Sequence, residues 1–357
     1  MRTGVCDLPL HHGSAPRWLF ERMVRLSRAI FEAIVEFYGP GEFLDRISDP
    51  VWFQALGSIL GFDWHSSGLT TTTSGALKLA INPIAKGFGI WICGGKGATS
   101  RKTPDEIKGF SERVGLIPEP LIYASRLTAK VDNTALQDGY QLYHHIFIFS
   151  KGGEWAVIQQ GMNPENRYAR RYHWRSKIKC FTSDPHKGII GKRETGVLNL
   201  VDGRIEKTRN EIVAITKEKP ERLLNAVPYL RFPAEHPVRD FSINKDYLRR
   251  VIIRVRERSP NDFETLLLTR GLGPKSLRAL ALLAHLITGS ELSFKDPVTF
   301  TFAHGGKDGH PFPVRRGIYD RSIRFLEEVI RRARINPNEK DLIYRSLNRL
   351  TGHQTGS

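Results

Sequence analysis

Apolar side chains recur every three or four residues along much of the chain, which is the spacing of amphipathic helices. In the N-terminal half this pattern predicts helices over residues 16–38, 50–61 and 118–137, and another that begins at Thr103. Residues 68–74 are interpreted as a Thr-rich turn, with Ser74 capping a short helix to Ile81. From Asn244 onward the pattern is helical, with helices over residues 245–257, 260–269, 275–288, 318–334 and 337–350.

Two runs have the composition of strands instead. Residues 140–150 and 155–162 flank Lys151-Gly152-Gly153, which predicts a β-hairpin, and residues 89–93 predict a further buried strand. Alternate residues of a strand face opposite sides. His144 is therefore expected to share a face with Leu142 and Ile146, and His145 to share the other with Tyr143 and Phe147. Gln159 and Gln160 on the partner strand divide in the same way.

These elements predict an α+β fold that is predominantly helical. An N-terminal mixed domain over residues 1–235 carries a small sheet and is assigned the catalytic role. A C-terminal all-helical domain covers residues 244–350, and the Pro-containing stretch from Phe232 to Pro237 is the expected linker. The basic segment over residues 163–193 is left open between a solvated helix and a surface for nucleic acid.

Charge narrows the list of partners. The 357 residues include 54 Lys and Arg against 37 Asp and Glu, a net charge of +17. Such an excess favours nucleic acid, with an acidic membrane surface as the competing reading. No apolar run is long enough to span a bilayer and the start lacks a signal core, so a cytoplasmic protein with no membrane partner is expected. The three cysteines lie far apart and exclude a disulfide framework or a Cys-rich zinc site.

The strongest motif is Arg270-Gly271-Leu272-Gly273-Pro274-Lys275 between two helices, within residues 260–288. It resembles the helix-hairpin-helix DNA-binding motif. Gly271 and Gly273 allow a tight turn close to a phosphate, and the second helix offers its N-terminal N–H groups and positive dipole end. Such contacts hold the backbone of DNA without reading base sequence.

Lys275 suggests a sharper alternative. In helix-hairpin-helix glycosylases with lyase activity, a lysine at this place forms a Schiff base with the sugar and an aspartate assists it. Here Asp296 or Asp308 follows Lys275. The chemistry requires a desolvated lysine near a carboxylate. The other interpretation is that Lys275 only contacts phosphate.

The N-terminal region supplies candidates for hydrolysis of a phosphodiester. Imidazoles act as general acids or bases near neutral pH, and carboxylates with imidazoles also bind Mg²⁺ or Mn²⁺. No spacing is diagnostic of a metal, so the sequence leaves a divalent cofactor open. The catalytic residues proposed on this basis are Asp7, His11, His12, Asp138, His144 and His145.

Further positions are expected to contact nucleic acid. Gly94-Gly95-Lys96-Gly97 between a strand and a helix is typical of a phosphate cradle, although it is not a Walker A motif. Arginines with interleaved aromatic residues suit unpaired strands. The glycine-rich loop over residues 302–313 can wrap an oxyanion. The contact residues predicted from these segments are Lys96, Ser100, Arg101, Arg167, Arg170, Arg171 and Lys307.

Several sequence blocks together resemble an uncharacterised prokaryotic family, mostly archaeal and thermophilic-bacterial, that carries a domain-of-unknown-function label. They span about residues 1–330: LPLHHGSAPRWL, WHSSGLTTT, GGKGATSRKTP, QDGYQLYHHIF, WAVIQQGM, ARRYHW, LTRGLGPKSLRAL and FAHGGKDGHPFPV. The resemblance implies a DNA-associated protein and no particular activity. One departure is Arg315-Arg316 after Pro313-Val314, where an acidic residue is expected.

Three functional hypotheses follow. The first is a DNA-processing enzyme of the repair type, a nuclease acting on damaged or single-stranded DNA. The second is a glycosylase with lyase activity that uses Lys275. The third is a non-catalytic DNA-binding or architectural protein. The motif favours DNA over RNA, and the sequence leaves the oligomeric state open.

Overall fold

The computed structural model describes residues 8–9, 15–61, 67–230, 244–299 and 316–351. Its fold is α+β and predominantly helical with a small antiparallel sheet, which confirms the predicted class. The described helices are α1 (Arg17–Ile47), α2 (Pro50–Ile59), α3 (Ser67–Ile81), α4 (Ala85–Phe88), α5 (Thr103–Arg113), α6 (Glu119–Lys130), α7 (Glu206–Ile215), α8 (Pro220–Ala226), α9 (Lys245–Arg258), α10 (Phe263–Leu267), α11 (Pro274–Thr288), α12 (Arg316–Arg332) and α13 (Pro337–Thr351).

Antiparallel strands form the main sheet in the order β1-β6-β5-β4-β2, with β7 also paired to β6. A separate two-stranded sheet joins β3 to β8. The strands are β1 (Leu8–Pro9), β2 (Ile90–Lys96), β3 (Leu136–Gln137), β4 (Gln141–Ser150), β5 (Trp155–Asn163), β6 (Tyr168–Arg175), β7 (Gly188–Ile190) and β8 (Leu198–Asn199).

Apolar side chains cover both faces of the main sheet. On one face, Phe147 and Phe149 of β4 pack with residues of α6, α7, α9 and α11. On the other face, Ile146 and Ile148 pack with residues of α1, α2, α3 and α12. The sheet is therefore the middle layer of three. Its central strands are buried on both faces, and the sequence pattern of β4 and β5 alone does not predict that burial.

The first of these apolar cores is continuous across the predicted domain boundary. It contains Leu198 and Leu223 from before the boundary, and Leu248 and Leu280 from after it. Residues 231–243, where the linker is expected, lie outside the described residues. The division at residue 235 stays a prediction, but α9 to α11 share their core with the mixed α/β part.

Most predicted helices are confirmed. Asp49 caps α2 through the amides of Val51 and Trp52, and α9, α11, α12 and α13 lie within two residues of their expected bounds. Gly39, with a φ of 85°, interrupts α1 where the first helix is expected to end, although the helix resumes directly afterwards. The helix expected from residue 260 begins only at Phe263, because Asp262 and Thr265 form its capping box.

Three interpretations are wrong. The helix predicted over residues 118–137 ends at Lys130, and Leu136–Gln137 form strand β3. The Thr-rich stretch is no turn, since α3 is one helix from Ser67 to Ile81. The basic segment contains no helix at Tyr168–Arg175, because these residues form the buried strand β6. None of the described helices combines the length and apolar character that crossing a membrane requires.

Candidate functional site in the polar rows of the sheet

Polar residues form two adjacent rows across the strands of the sheet. In the first row, His144 of β4 lies opposite Lys96 of β2 and Gln160 of β5, and Gln160 lies opposite Arg171 of β6. In the second row, His145 lies opposite Gln159. Because neighbours along a strand point to opposite faces, the two rows serve opposite faces of the sheet. Each histidine of β4 therefore lies opposite one glutamine of β5.

A β-bulge changes which residues accompany each histidine. The register of β4 against β5 shifts between Leu142 and His144, so Tyr143 has no opposite residue. The Tyr143 hydroxyl is hydrogen-bonded by the Gln160 side-chain amide, which places Tyr143 beside His144. Leu142 packs instead on the core of the other face. The expected grouping of Tyr143 with His145 and of Leu142 with His144 is therefore wrong.

On one face His145 belongs to a closed chain of hydrogen bonds, which we call the His145 network. Its Nε2 lies 2.9 Å from Ser125 Oγ, and its Nδ1 lies 2.8 Å from Gln159 Oε1. Gln159 Nε2 donates to Asp132 Oδ2 at 2.5 Å, and Asp132 Oδ1 lies 2.5 Å from His186 Nε2. Trp174 Nε1 also donates to Asp132 Oδ2, at 2.8 Å.

The chemistry of Gln159 fixes the protons in this network. Its amide nitrogen must donate to the Asp132 carboxylate, so its oxygen faces His145. His145 Nδ1 is consequently the donor, and its Nε2 accepts from Ser125. Each side chain of the His145 network is hydrogen-bonded. Burial lowers the pKa of His145 to about 4. Such an arrangement holds α6 against the sheet, as a structural polar network does.

Asp138 lies in a second cluster on the same face, in which its carboxylate is hydrogen-bonded and Arg170 Nε is without a partner among the described residues. Arg170 Nη1 donates to Asp138 Oδ2 at 2.8 Å, and its Nη2 donates to Asp296 Oδ2 at 2.8 Å. The Tyr172 hydroxyl donates to Asp138 at 2.7 Å. Burial raises the pKa of Asp138, although the Arg170 charge opposes the shift. Asp138 therefore has a role in joining β6 to the segment that follows α11.

The opposite face differs because several buried polar atoms that lack partners lie together there, whereas Arg170 Nε is the one such atom in the two clusters described above. His144 is 2% exposed, yet neither ring nitrogen has a hydrogen-bond partner among the described residues. Gln160 Oε1 and Ser74 Oγ, both buried, are also unpartnered in this part of the chain. Tyr143, His144 and Gln160 lie together on this face, and we call them the His144 cluster. Leaving one such group without a partner costs about 1–3 kcal/mol.

The contrast between the faces selects the candidate site. A polar group that stabilises a fold is hydrogen-bonded, whereas several unpaired groups at one place indicate a site built for something other than the fold. Of the three described catalytic candidates, Asp138 and His145 are themselves hydrogen-bonded, and His144 is the one whose ring nitrogens have no partner among the described residues. His144 is therefore the described residue with capacity to bind or to exchange a proton.

Acid should destabilise the folded protein through His144. Burial lowers its pKa to about 3, whereas an unfolded histidine titrates near 6.5. As pH falls below 6.5 the unfolded chain takes up a proton that the folded chain does not, so stability is lost on acidification. His144→Leu removes this group. Urea unfolding measures the difference in the free energy of unfolding between His144→Leu and wild type. This difference should shift in favour of the variant by about 2 kcal/mol between about pH 8 and about pH 5.

The matched control is His145→Leu. It leaves Ser125 and Gln159 without their partner, so at about pH 8 it should lower the free energy of unfolding by about 2–4 kcal/mol. His144→Leu should change stability little at that pH, since no partner is orphaned. Equal losses in the two variants would contradict the assignment of free nitrogens to His144.

The predicted phosphate cradle is partly occupied by the protein itself. The Gly94 amide donates to Glu106 Oε2 at 2.7 Å, and the same carboxylate binds Lys78. Ser100 Oγ donates to the Gly97 carbonyl at 2.6 Å. Lys96 and Arg101 are exposed and available to a ligand.

The arginines of the basic segment, residues 163–193, also fall into exposed and buried positions. Arg167 is exposed, whereas Arg170 and Arg171 are fully buried. Arg171 donates to His173 Nε2 at 2.9 Å and to Gln54 Oε1 at 3.1 Å. Their contact with nucleic acid stays a prediction, and it requires these buried side chains to be uncovered.

The turn between α10 and α11, residues 269–273, is held by donors from two directions. The Tyr247 hydroxyl donates to the Gly271 carbonyl at 2.8 Å, and Lys130 Nζ donates to the Leu272 carbonyl at 2.6 Å. Gly271 has a φ of +87°, a conformation that glycine adopts without strain. A Cβ at Gly271 would lie 2.8 Å from Arg254 Nη1, so this guanidinium rests against the turn. Apart from its chain neighbours, no atom of the described residues lies within 4 Å of a Cβ placed at Gly273.

Positive charge surrounds this turn. Arg250, Arg254, Arg270 and Lys275 are exposed, and we call them the cationic face. Arg249 is set apart because it pairs with Glu221 at 2.8 Å. Lys130 is partly buried beneath the turn, and desolvation lowers its pKa.

Several predicted residues lie outside the described residues. These are Asp7, His11, His12, Lys307 and Asp308. Among the described residues, no group of three or more His, Cys, Asp or Glu side chains is arranged to hold a metal. A divalent cofactor therefore stays a prediction that rests on residues beyond this part of the chain.

Sequence reasoning missed Asp132, Ser125 and Ser74. Asp132 lies in a π-helical turn directly after α6, and Ser125 lies on the buried side of α6. A serine or aspartate at these positions gives no local signal, since its partner is 20 or more residues away. For Ser74 the signal existed, because Ser67, Ser74 and Lys78 have the spacing of one helix face.

No curated protein and no solved structure matches this chain. A family model described as "Protein of unknown function (DUF763)" matches residues 4–314. The chain belongs to this family, and the resemblance to an uncharacterised family is confirmed.

Proposed function

We propose that the protein binds the sugar–phosphate backbone of DNA through the cationic face and the turn at residues 269–273. The observation that carries the proposal is the convergence of four exposed cations, a positive-φ glycine and the start of α11 at one place. The first N–H groups of a helix have no intrahelical acceptor, and the helix dipole favours an anion there.

The contacts of the turn support this orientation. Protein donors occupy the carbonyls of Leu268, Gly271 and Leu272. The Leu272 amide donates to the Thr269 carbonyl at 3.1 Å, so the amides that remain for a different acceptor are those of the turn glycines. Because Pro274 has no N–H, the amides of the next residues begin the exposed end of α11. A phosphate oxygen matches this set of donors, and the net charge of +17 brings the polyanion to it.

Salt dependence tests the proposal. Binding of a labelled duplex should weaken as salt rises, with log Kd linear in log salt and a slope magnitude of about 3–4 for four contacted phosphates. Duplexes of unrelated sequence should bind alike, since backbone contacts carry no base information. A protein that shows no affinity at low salt, or affinity independent of salt, would overturn the proposal.

A second candidate function is hydrolysis of the bound DNA, the predicted nuclease activity. The observation that favours it is His144, a neutral imidazole with unpaired nitrogens beside the exposed Lys96. Incubation of labelled single-stranded and duplex DNA with and without Mg²⁺ or Mn²⁺ tests it. DNA that stays intact under every condition would remove this candidate and leave DNA binding unaffected.

No observation on the described residues favours the glycosylase alternative. Lys275 is exposed, whereas Schiff-base lysines are typically desolvated. The Asp296 carboxylate accepts hydrogen bonds from Arg170 and from the amides of Glu194 and Val298. The alternative stays a prediction that depends on Asp308.

A further inference from the structure

One face of α9 carries an aromatic ring and three arginines in a single row. Tyr247, Arg250, Arg254 and Arg258 are separated by three, four and four residues, so they lie above one another along the helix. All four are exposed. Tyr247 lies in the first turn of α9 and the arginines follow at successive turns. We call these four residues the α9 stripe.

The α9 stripe lies against the turn between α10 and α11. The Tyr247 hydroxyl donates to the Gly271 carbonyl at 2.8 Å, and a Cβ at Gly271 would lie 2.8 Å from Arg254 Nη1. Arg258 Nη1 donates to the Leu268 carbonyl, also at 2.8 Å. A strand held at this turn would therefore pass directly beside the stripe.

Tyr247 is fixed at both ends although it is accessible to a ligand. Its amide donates at 2.8 Å to the side chain of Asn244, which caps α9, and its hydroxyl is tied to the turn. The residue is nevertheless 42% exposed, and Arg250 Cζ lies 6.0 Å from the ring centroid. A ring that is already held in place loses little conformational freedom when a flat ligand stacks on it. Tyr247 is therefore a preorganised stacking surface beside positive charge.

Positive charge beside a fixed aromatic ring matches the chemistry of an unpaired nucleotide. Proteins that bind single strands combine cations for the backbone with aromatic side chains on which bases stack. In a duplex the faces of each base are covered by its neighbours in the stack, so a ring at the backbone has no base face to contact. A duplex would satisfy the arginines and leave the Tyr247 ring unused.

We propose that Tyr247 stacks on an unpaired base of the DNA strand whose phosphates the cationic face binds. The substrate class that this implies is DNA with a single-stranded segment. Arg250 and Arg254 belong both to the cationic face and to the α9 stripe, so the bound phosphates and the stacked base are neighbours in one strand. The inference rests on the proposed DNA binding and is independent of His144 and of strand cleavage.

Two strands with equal numbers of phosphates separate stacking from charge. One is a labelled thymidine oligomer, and the other is the same strand with an abasic tetrahydrofuran in place of every base. Each is titrated against the full-length protein, and binding is measured by fluorescence anisotropy. We expect wild type to bind the base-bearing strand roughly tenfold more tightly than the abasic strand. In Tyr247→Leu the ratio of the two Kd values should fall to about one.

Two further variants control for other effects of this substitution. Tyr247→Phe removes the hydrogen bond to Gly271 but keeps the ring, so it should retain most of the preference for the base-bearing strand. Trp18→Leu should retain all of it, because Trp18 is 67% exposed on α1, across the sheet from α9. Tyr247→Leu should leave the slope of log Kd against log salt unchanged, since the ring neutralises no phosphate.

The outcomes distinguish this inference from the function on which it rests. If neither strand binds and a duplex does not bind either, DNA binding itself fails and the stacking proposal falls with it. If only a duplex binds, if wild type binds both strands equally, or if Tyr247→Leu keeps the preference, stacking is overturned while DNA binding stands. An equal loss of preference in Tyr247→Phe and Tyr247→Leu would assign the effect to the hydroxyl and overturn stacking in the same way.

Discussion

Replacing Arg170 by methionine should lower the free energy of unfolding by about 3–5 kcal/mol, because removal of one partner leaves buried charges uncompensated. The guanidinium is 0% exposed and binds Asp138 and Asp296. Its Nη2 also donates to the Lys192 carbonyl at 2.5 Å. Without it, two carboxylates face each other in the core with no positive charge between them.

The loss should depend on pH. Burial already raises the pKa of Asp138 while Arg170 is present, and removal of the guanidinium takes away the charge that opposes this shift. Protonation of Asp138 then relieves the variant, so its deficit relative to wild type should be smaller at about pH 5 than at about pH 8. Urea unfolding at the two pH values measures both effects.

The same substitution at Arg17 is the control. Arg17 forms an exposed pair with Glu21 one helical turn away, a class of ion pair that contributes little to stability. Arg17→Met should therefore unfold at nearly the wild-type urea concentration. A loss in Arg170→Met no larger than that in Arg17→Met would refute the buried triad.

The sequence predicts the helices and strands of this fold better than the tertiary contacts around them. The β4–β5 hairpin follows from alternation around Lys151-Gly152-Gly153, and the cap at Asp49 follows from its residue type. Helix α3 was missed because Thr70 to Thr73 have low helix propensity, which burial of Leu69, Ala76 and Leu77 between neighbouring elements overrides.

Strand β6 shows why charge misleads a local interpretation. Arg170 and Arg171 have the appearance of a solvated basic run, yet each lies on a different buried face. The carboxylate of Asp296 that neutralises Arg170 is 126 residues away in the chain. No window of the sequence contains both partners, so only the tertiary structure distinguishes an internal ion pair from a surface for nucleic acid.

The candidate site could be predicted only in outline. The cross-strand pairing of His144 with Gln160 and of His145 with Gln159 follows from hairpin register. The register does not show which histidine has unpaired ring nitrogens. The pairing of His145 depends on Ser125 of α6 and, through Gln159, on Asp132. The bulge at Tyr143 has no sequence signal that we recognise, although it decides which side chains accompany His144.

Reversing two charges of the cationic face should have the largest effect on DNA binding. Arg270→Glu with Lys275→Glu places carboxylates beside the turn at residues 269–273 and repels the phosphates that the native residues attract. At about 50 mM salt, affinity for a labelled duplex should fall roughly 100-fold, and the slope of log Kd against log salt should decrease by about two.

A matched pair of substitutions controls for net charge. Lys86 and Lys151 are exposed, and the Lys151 amide donates to the Gly89 carbonyl near Lys86. These lysines lie at the far end of β4 from the turn, roughly 30 Å away along a ten-residue strand. Lys86→Glu with Lys151→Glu changes the net charge by the same amount without touching the turn.

Fluorescence anisotropy of one labelled duplex, titrated in parallel with wild type and the two double variants, measures whether DNA binds at the turn between α10 and α11. We expect a large and selective loss of affinity in Arg270→Glu/Lys275→Glu and a small loss in Lys86→Glu/Lys151→Glu. Wild-type affinity in the first variant, or equal losses in both, would contradict binding of DNA at the turn between α10 and α11.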